Sequence, residues 1–304
     1  MILSNSTVLI TGSNGFIGHH VCQYFSDKGC YVIGLGRSPK SKAIVDEYAQ
    51  IDLDTDVIFE YKPSRKIDAI IHLAADMRAD PHCVEVVQAN CTGEQRLLEY
   101  CEKNEIKVLM QLSSLPVIGR PKEHPITENH PLCPKTVYHC TKVMEELLAD
   151  FAYRNKGIRT ASFRISAPVG SRMNEKTIFP TFVRSALKGD DIVLYGKGTR
   201  EQNFIHVDDI SQALYKGMMS EKCHGVYNLS SYTQISNVDL ANAVIERLHS
   251  SSKITFSDNP DPLDDDIWDV DISKLKTDTG FEPQHSVEKM IDDVAHWYKE
   301  KGVN

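Results

Sequence analysis

Several classes of protein are excluded by what this sequence of 304 residues does not contain. Its eight cysteines form no C-x-x-C pair and its twelve histidines no H-x-x-x-H or H-E-x-x-H motif, so neither a disulfide framework nor a metal site is predicted. No apolar run approaches the roughly 18 residues of a membrane-spanning helix. The segment Met1–Ser6 lacks the basic and apolar regions of a signal peptide, and a cytoplasmic protein is expected.

Basic side chains are also too few to favour a nucleic-acid partner. The 34 Lys and Arg residues against 42 Asp and Glu residues give a net charge of −8. A bound anion must therefore be held by local groups rather than by a basic surface. Apolar residues at 41% and charged residues at 25% are typical of a folded globular protein.

Short apolar runs alternate with helical patterns in the first half of the chain. The apolar runs are Thr7–Thr11, Tyr31–Leu35, Ala69–Leu73, Val108–Leu112 and Thr160–Ile165, and helical patterns include Phe16–Lys28, Val84–Lys103 and Thr136–Asn155. This alternation predicts an α/β fold with a parallel sheet covered by helices on both faces.

After Pro168 the strands become shorter, and a smaller α/β substrate-binding region is predicted. We expect residues 1–167 to form the larger domain and residues 203–230 to return to it. Residues 168–202 and 231–304 would form the smaller region. A ligand is expected in the cleft between the two parts.

Three glycines follow the first predicted strand, at the spacing G-x-x-G-x-x-G. Glycine permits a tight turn and close approach of the backbone to a pyrophosphate, while the following helix N-terminus supplies amide donors. The motif predicts a doubly wound Rossmann-type sheet that binds a dinucleotide. The predicted contacts in this loop are Gly12, Asn14, Gly15, Phe16, Ile17 and Gly18.

The end of the second strand bears on which dinucleotide binds. The acidic residue that would hold the ribose hydroxyl of NAD is missing there, and Gly36, Arg37 and Ser38 follow instead. A guanidinium suits a 2′-phosphate, so NADP(H) is favoured and NAD(H) is the alternative. Arg37 could also stack on the adenine or face solvent. Asp52 and Leu53, after the third strand, are expected to border the adenine.

Tyr138 and Lys142 lie four residues apart in a predicted helix and so project from one face. A nearby ammonium and a cationic nicotinamide would stabilise the phenolate, which makes Tyr138 a plausible general acid/base. The Y-x-x-x-K spacing alone occurs by chance in many chains. It gains support from the buried strand that ends in Ser113 and Ser114, whose hydroxyl can bind a reacting oxygen.

With these motifs the sequence resembles the extended short-chain dehydrogenases/reductases, the NAD(P)-dependent epimerase/dehydratase type that includes nucleotide-sugar enzymes. The resemblance covers nearly the whole chain. The matching stretches are Thr11–Gly18, Asp68–Ala75, Asn90–Gly93, Ser113–Ser114 with Val117–Gly119, Glu128 with Pro134, Tyr138 with Lys142, Phe163–Arg164 with Pro168–Gly170, and Gly196–Asp209.

The resemblance implies roles for individual residues. Tyr138 would be the acid/base, Lys142 would orient the nicotinamide ribose and lower the pKa of the tyrosine, and Ser114 would bind the substrate oxygen. Asn90 would support this network. The residues implied to line the cofactor channel are Leu73, Ala74, Ala75 and Pro168. A homodimer formed through the helices at 84–103 and 136–155 is implied by the same analogy.

Two residues after Ser114 restrict the reaction. Dehydratases of the family carry Asp-Glu there, and this chain has Leu115 and Pro116, which cannot transfer protons. Pro116 also stands where related 3,5-epimerases use cysteine and decarboxylating relatives use glutamate. A nucleotide-sugar 4-ketoreductase or 4-epimerase, which needs only a hydride and one proton, is therefore predicted.

Several positions expected to bind a nucleotide-linked substrate depart from the pattern of the family. Gln202 stands in place of the usual phosphate-binding arginine and Ala167 in place of an asparagine, and residues 257–271 contain no arginine. Candidate substitutes are Arg172, Arg184 and Arg200. One alternative is a reductase of a small carbonyl compound without a nucleotide, and another is a non-catalytic NADP-sensing protein. The acidic stretch at 258–271 is interpreted as a solvated loop.

Overall fold

The computed structural model describes residues 5–78, 80 and 82–303. Most of the N-terminal segment on which the signal-peptide expectation depends, residues 1–4, lies outside the described residues. Among the described helices, none is long and apolar enough to cross a membrane.

The first half of the chain contains six strands and four helices in alternation. In chain order they are β1 (Thr7–Thr11), α1 (Phe16–Asp27), β2 (Tyr31–Gly36), β3 (Glu47–Gln50), a 3₁₀ turn (Asp56–Glu60), β4 (Ala69–His72), α2 (Val84–Val87), a π-helical turn (Gln88–Thr92), α3 (Gly93–Lys103), β5 (Val108–Ser114), a 3₁₀ turn (Leu115–Ile118), α4 (Val137–Lys156) and β6 (Arg159–Ile165).

The second half has shorter strands, as predicted. In chain order they are β7 (Ala167–Val169), α5 (Ile178–Lys188), β8 (Ile192–Leu194), β9 (Glu201–His206), α6 (Val207–Met219), β10 (Gly225–Leu229), β11 (Gln234–Ser236), α7 (Asn237–Arg247), β12 (Ile254–Phe256), α8 (Ser273–Thr279) and α9 (Val287–Glu300).

A seven-stranded sheet with the order β10-β6-β5-β4-β1-β2-β3 forms the centre of the fold. All six strand pairs are parallel, which confirms the predicted doubly wound Rossmann-type sheet. On one face of the sheet, Phe163 and Tyr227 share a core with Phe25 of α1 and with residues of α6. The core on the other face includes Leu97 and Tyr100 of α3. Strand order reverses between β1 and β4, the place where such sheets bind ligands beyond the strand ends.

A second apolar core lies in the C-terminal part. Phe179 and Phe182 of α5 pack there with Met290 of α9, next to a three-stranded sheet with the order β11-β9-β7. A two-stranded sheet of β8 and β12 lies beside it. This small α/β unit matches the type of region predicted after Pro168.

The packing differs from the predicted boundaries at two places. Strand β9, at the start of the predicted returning segment, pairs with β7 and β11 in the small sheet, although its Ile205 is buried in the core of the large one. Strand β10 joins the large sheet, and α6 packs on it. Leu275 and Phe281, predicted in the smaller region, are fully buried in the core of the large sheet because α8 packs on α6 and β10.

Candidate functional site

The glycine loop between β1 and α1 lies against the backbone of the segment that follows β4. Gly12 has a φ of +68°, and a Cβ atom there would lie 2.8 Å from the Ala74 nitrogen. A Cβ at Gly18 would lie 2.1 Å from the Gly12 carbonyl oxygen. Any side chain at these positions would push the loop away from its neighbours, so the tight turn requires glycine.

The N-terminus of α1 is open to a ligand. Its N-cap residue, Gly15, has no side chain to bond the first-turn amides. These N–H groups and the helix dipole are suited to a pyrophosphate. Asn14 holds the loop in place, since its amide donates to the Lys40 carbonyl at 3.0 Å and its oxygen accepts from the Lys42 amide at 2.6 Å.

A groove of about 270 Å³ opens between this loop and the ends of β2, β3 and β4. Of the predicted cofactor residues, the structure brings together Gly12, Asn14, Gly15, Arg37, Ser38, Asp52, Leu53, Leu73, Ala74, Ala75 and Asn90 in its lining. The lining also includes residues not singled out from the sequence as contacts, namely Leu35, Gly36, Ile51, Asp54, His72, Asp76 and Ala89. The combination of a glycine cradle, helix amides without side-chain caps and a groove at the strand ends fits a dinucleotide.

Six predicted cofactor residues do not line this groove: Phe16, Ile17, Gly18 and Pro168, together with Tyr138 and Lys142, which are predicted both to bind the cofactor and to be catalytic. The third predicted catalytic residue, Ser114, is not in the lining either. Phe16, Ile17 and Gly18 form the first turn of α1, where Phe16 packs into the C-terminal core and Ile17 onto the core of the large sheet. Pro168 lies in β7 opposite Ile205 of β9.

Asn90 connects the groove to α4 from within the π-helical turn. Its side-chain oxygen accepts from the Asp76 amide at 2.6 Å, and its amide donates to the Thr141 hydroxyl at 2.9 Å. The extra residue of a π turn, a feature often found at functional sites, places this side chain between the two segments. The supporting network implied for Asn90 therefore has a structural basis.

The three candidate catalytic residues come from β5 and α4. Ser114 ends β5 and precedes the 3₁₀ turn that packs on α4. Tyr138 and Lys142 lie one turn apart near the start of α4, with the Lys142 Nζ atom 5.9 Å from the centre of the Tyr138 ring. Lys142 is only 4% exposed, and its ammonium donates to the Leu112 carbonyl at 3.1 Å and to the Glu145 carboxylate at 2.8 Å.

Burial dominates the electrostatics of this pair. It raises the pKa of the Tyr138 phenol, the Lys142 ammonium lowers it, and the Glu145 carboxylate raises it again, so the net pKa lies above the ordinary value of a tyrosine. Burial alone would lower the pKa of Lys142, but Glu145 and Tyr138 hold it above its usual value. Lys142 lowers the pKa of Tyr138, as expected, but burial of the phenol raises this pKa by more.

A second cavity, of about 90 Å³, is lined in part by the two residues that follow Ser114 in the chain. Its lining consists of Leu115, Pro116, Ser166, Ala167, Arg200, Gln202, Asn203 and Trp268. No sequence motif marks Trp268, which lines the cavity from within the acidic stretch. Its carbonyl accepts from the Asn203 amide at 2.8 Å. That stretch is not wholly solvated, because Asp266 is 4% exposed and pairs with Arg120.

One described cluster has donor atoms close enough for a metal ion: His206, Asp208 and His285, within 4.8 Å of one another. The two imidazole rings are stacked at 4.1 Å with an interplanar angle of 19°. An ion binds in the plane of an imidazole, so nearly parallel rings cannot direct their lone pairs at one point. His206 Nδ1 also accepts the Asp208 amide at 3.2 Å as the cap of α6.

The model of the NAD dependent epimerase/dehydratase family matches residues 8–230, well over half of the chain. The chain belongs to this family. It is thus an NAD(P)-dependent enzyme of the extended short-chain dehydrogenase/reductase class, which confirms the predicted resemblance and enzyme class.

Individual relatives are similar to this chain over nearly its whole length. A UDP-glucose 4-epimerase of Lactobacillus helveticus is 28% identical over 332 residues, covering 96% of this chain and 97% of the relative. A crystal structure of a UDP-glucose 4-epimerase from Thermotoga maritima with UDP-glucose superposes with a TM-score of 0.86 at 21% identity, covering 97% of this chain and 99% of that one. A UDP-glucuronic acid 4-epimerase from Bacillus cereus, in complex with UDP-glucuronic acid and NAD, gives a TM-score of 0.81 at 22% identity, with coverage of 97% and 99%.

Proposed function

We propose that the protein transfers hydride at C4 of a nucleotide sugar, as a 4-epimerase or a 4-ketoreductase. The observation that carries the proposal is the placement of Tyr138 and Lys142 near the start of α4, beside the Asn90 contact with the groove, with Ser114 at the end of β5 before the turn that packs on this helix. Leu115 and Pro116, which follow Ser114 and line the second cavity, add no proton-transfer group. Chemistry that needs one proton and one hydride fits this set.

In the proposed reaction, the nicotinamide supplies or accepts the hydride when bound. Tyr138 exchanges the proton of the substrate hydroxyl, and Ser114 donates a hydrogen bond to the reacting oxygen. Lys142 has three N–H donors, of which two are used by Leu112 and Glu145, so one remains for a ribose hydroxyl. The same ammonium stabilises the phenolate form of Tyr138.

For the cofactor we favour NADP(H) over NAD(H). Arg37 is exposed at the end of β2 and lines the groove beside Ser38, where it can meet a 2′-phosphate. Gly36 offers no carboxylate for a ribose hydroxyl. The NAD bound by the Bacillus cereus relative supports the alternative.

A nucleotide diphosphate has a cation available in the second cavity. Arg200 and Gln202 are two residues apart and both line this cavity. Gln202 is tied to the Asn237 side chain at 2.7 Å, whereas the buried Nε of Arg200 has no hydrogen-bond partner. We therefore favour Arg200 over Arg172 and Arg184 as the substitute for the missing phosphate-binding arginine.

We further propose a homodimer formed through α2 and α4, which pack against each other. Large apolar side chains are exposed on these helices, among them Val84 at 72%, Leu147 at 59% and Phe151 at 50%. Met144, Leu147 and Phe151 share one face of α4, so they form one patch. The division into a larger and a smaller domain, with β9 assigned to the smaller one and α8 to the larger one, and a cytoplasmic location are part of the same proposal.

The test combines cofactor analysis with a substrate panel. Protein purified without added cofactor is denatured and the released dinucleotide identified by mass spectrometry, and UDP-, GDP- and dTDP-sugars are then assayed for turnover. Retained NAD with epimer formation supports the epimerase, and an empty protein that reduces a 4-keto sugar with NADPH supports the reductase. No turnover, together with no thermal stabilisation by any of the three nucleotides, would favour the small-carbonyl alternative.

The first variant is Tyr138→Phe, which removes the phenolic proton and keeps the ring. We expect turnover to fall by about 10²-fold or more while the dissociation constant of the cofactor stays the same. Tyr153→Phe is the matched control, since Tyr153 lies on the same helix and stacks on His224 away from the groove. Full activity in Tyr138→Phe would rule out the proposed acid/base.

A further inference from the structure

Two glutamates are buried beside the candidate catalytic lysine without a role in the reaction described above. Glu145 lies on α4, three residues after Lys142, and its side chain is 1% exposed. Glu94 lies in the first turn of α3, and its side chain is 0% exposed. Burying a carboxylate is costly unless a partner compensates for the lost water, so each residue needs a physical explanation.

Glu145 has such a partner in Lys142. One carboxylate oxygen accepts from the Lys142 ammonium at 2.8 Å, and the other is buried without a hydrogen bond. The Leu112 carbonyl accepts a hydrogen bond from a second N–H of the ammonium, at 3.1 Å. Glu145 therefore helps to fix the direction in which the remaining N–H of Lys142 points.

Glu94 differs, because neither of its oxygens has a hydrogen-bond partner. Its Oε2 atom lies 3.4 Å from the Nε2 atom of His72, a titratable group. The Thr11 hydroxyl accepts from two backbone amides and is hydrogen-bonded to His72 Nδ1 at 2.7 Å, so the Nδ1 side of this ring is occupied. Burial, and then the charge of Glu145, raise the pKa of Glu94 well above its usual range.

Among the described residues, Glu145 is the titratable group that accepts a hydrogen bond from the Lys142 ammonium. Glu94 on α3 makes no such bond, and burial lowers the pKa of His72 on β4 to about 3, so His72 carries no charge at neutral pH. Burial also raises the pKa of the Cys91 thiol in the π-helical turn to about 11. On α4, Glu146 is paired with Arg164 of β6. Glu145 is therefore the carboxylate in direct contact with the Lys142 ammonium, at 2.8 Å; burial raises the pKa of Glu145 above its usual value, and the ammonium opposes this shift.

We propose that Glu145 is a positioning residue of the active site: its carboxylate holds the Lys142 ammonium in place and offsets part of the positive charge that this ammonium presents to Tyr138. The inference rests on the proposed function, in which Tyr138 exchanges the substrate proton. Its consequence is that Tyr138 loses its proton at a higher pH than it would beside an unpaired lysine.

Isosteric amides at the two buried glutamates separate this role from a general effect on packing. Glu145→Gln replaces the carboxylate that accepts from Lys142, whereas Glu94→Gln changes a buried carboxyl group that has no hydrogen bond to Lys142. In the direction of alcohol oxidation, the rise of kcat/KM with pH should move about one unit to lower pH in Glu145→Gln. It should stay in place in Glu94→Gln and in Glu145→Asp, which keeps the charge.

The inference is overturned if the profile of Glu145→Gln coincides with that of the wild type, or if both amide variants shift equally. A readout without turnover is the near-ultraviolet absorbance of the phenolate, taken as the difference between each protein and its Tyr138→Phe counterpart. A shifted absorbance titration in an inactive protein would uphold the role of Glu145 and refute the proposed function. An unshifted titration refutes the role of Glu145 whether or not the protein turns over.

Discussion

Arg37 and Ser38 are the side chains in the groove with the most bearing on cofactor choice. Arg37 is exposed, and its backbone carbonyl accepts from the Gln50 amide at 3.1 Å, which fixes the start of its side chain. The Ser38 carbonyl accepts from the Tyr48 hydroxyl at 2.8 Å. The turn is therefore held by β3 while the guanidinium stays available to a ligand.

Replacing Arg37 with alanine should weaken NADPH binding far more than NADH binding. A charge-assisted contact to phosphate contributes about 1.5–3 kcal/mol, so the dissociation constant of NADPH should rise roughly tenfold to a hundredfold. Fluorescence titration with both cofactors measures the ratio.

Arg65→Ala is the control for this experiment. It removes the same charge from an arginine that lies over the Tyr31 ring, and Arg65 is not among the residues lining the groove. Equal losses for NADPH and NADH in Arg37→Ala would mean that Arg37 contacts a part shared by both cofactors, such as the adenine.

Sequence reasoning succeeded at this scale where the residues of the site are contiguous in the chain. The glycine loop and the segment Leu73–Ala75 lie next to strands whose apolar pattern is clear, so their meeting at the strand ends could be predicted. Trp268 and Glu94 could not be found in this way. Their positions depend on how distant segments pack, and no local spacing encodes that.

At the scale of elements, a buried ion pair joins β6 to α4. Arg164 binds both oxygens of Glu146, with distances of 2.9 and 2.7 Å, and both side chains are at most 5% exposed. The Ser113 hydroxyl donates to the same carboxylate at 2.6 Å, so the end of β5 is included. The strand that carries Ser114 and the helix that carries Tyr138 are held together by this network.

Arg164→Ala should lower the free energy of unfolding by about 3–5 kcal/mol, because it leaves Glu146 buried without its cation. Urea denaturation gives the value. Arg247→Ala is the matched control, since Arg247 makes a similar two-point contact with Asp292 on the surface. Its loss should be much smaller. Similar losses in the two variants would contradict the role assigned to burial.

Element boundaries were predicted well where strands are long and buried on both faces. Strand β1 begins and ends at the predicted residues, and β5 ends at Ser114, the second of the two hydroxyl residues predicted at its end. The helix predicted over 84–103 contains a π-helical turn in the structure. This turn was not predicted, because apolar periodicity does not reveal one inserted residue. The three-residue strands β7, β8, β11 and β12 are too short for a periodic signal.

At the scale of the whole molecule, the patch on α4 predicts association. Leu147→Glu places a charge in the middle of the proposed dimer interface and should convert the dimer to a monomer. Ile44→Glu is the control, since Ile44 is 54% exposed outside the patch. Light scattering coupled to size-exclusion chromatography measures the mass of each. A wild-type protein that is monomeric at micromolar concentration would refute the proposed dimer.

The π-helical turn makes the length of the chain between α2 and α3 critical. Deleting one residue from Gln88–Thr92 would restore an ordinary α-helix. The side chains of α2 would then be rotated about the helix axis by about 100° relative to those of α3. Asn90 could then no longer bridge Asp76 and Thr141, although the helix itself would become more regular. This segment should therefore accept many substitutions but no change in residue number, so a gap there in a homologue would mark a differently built site.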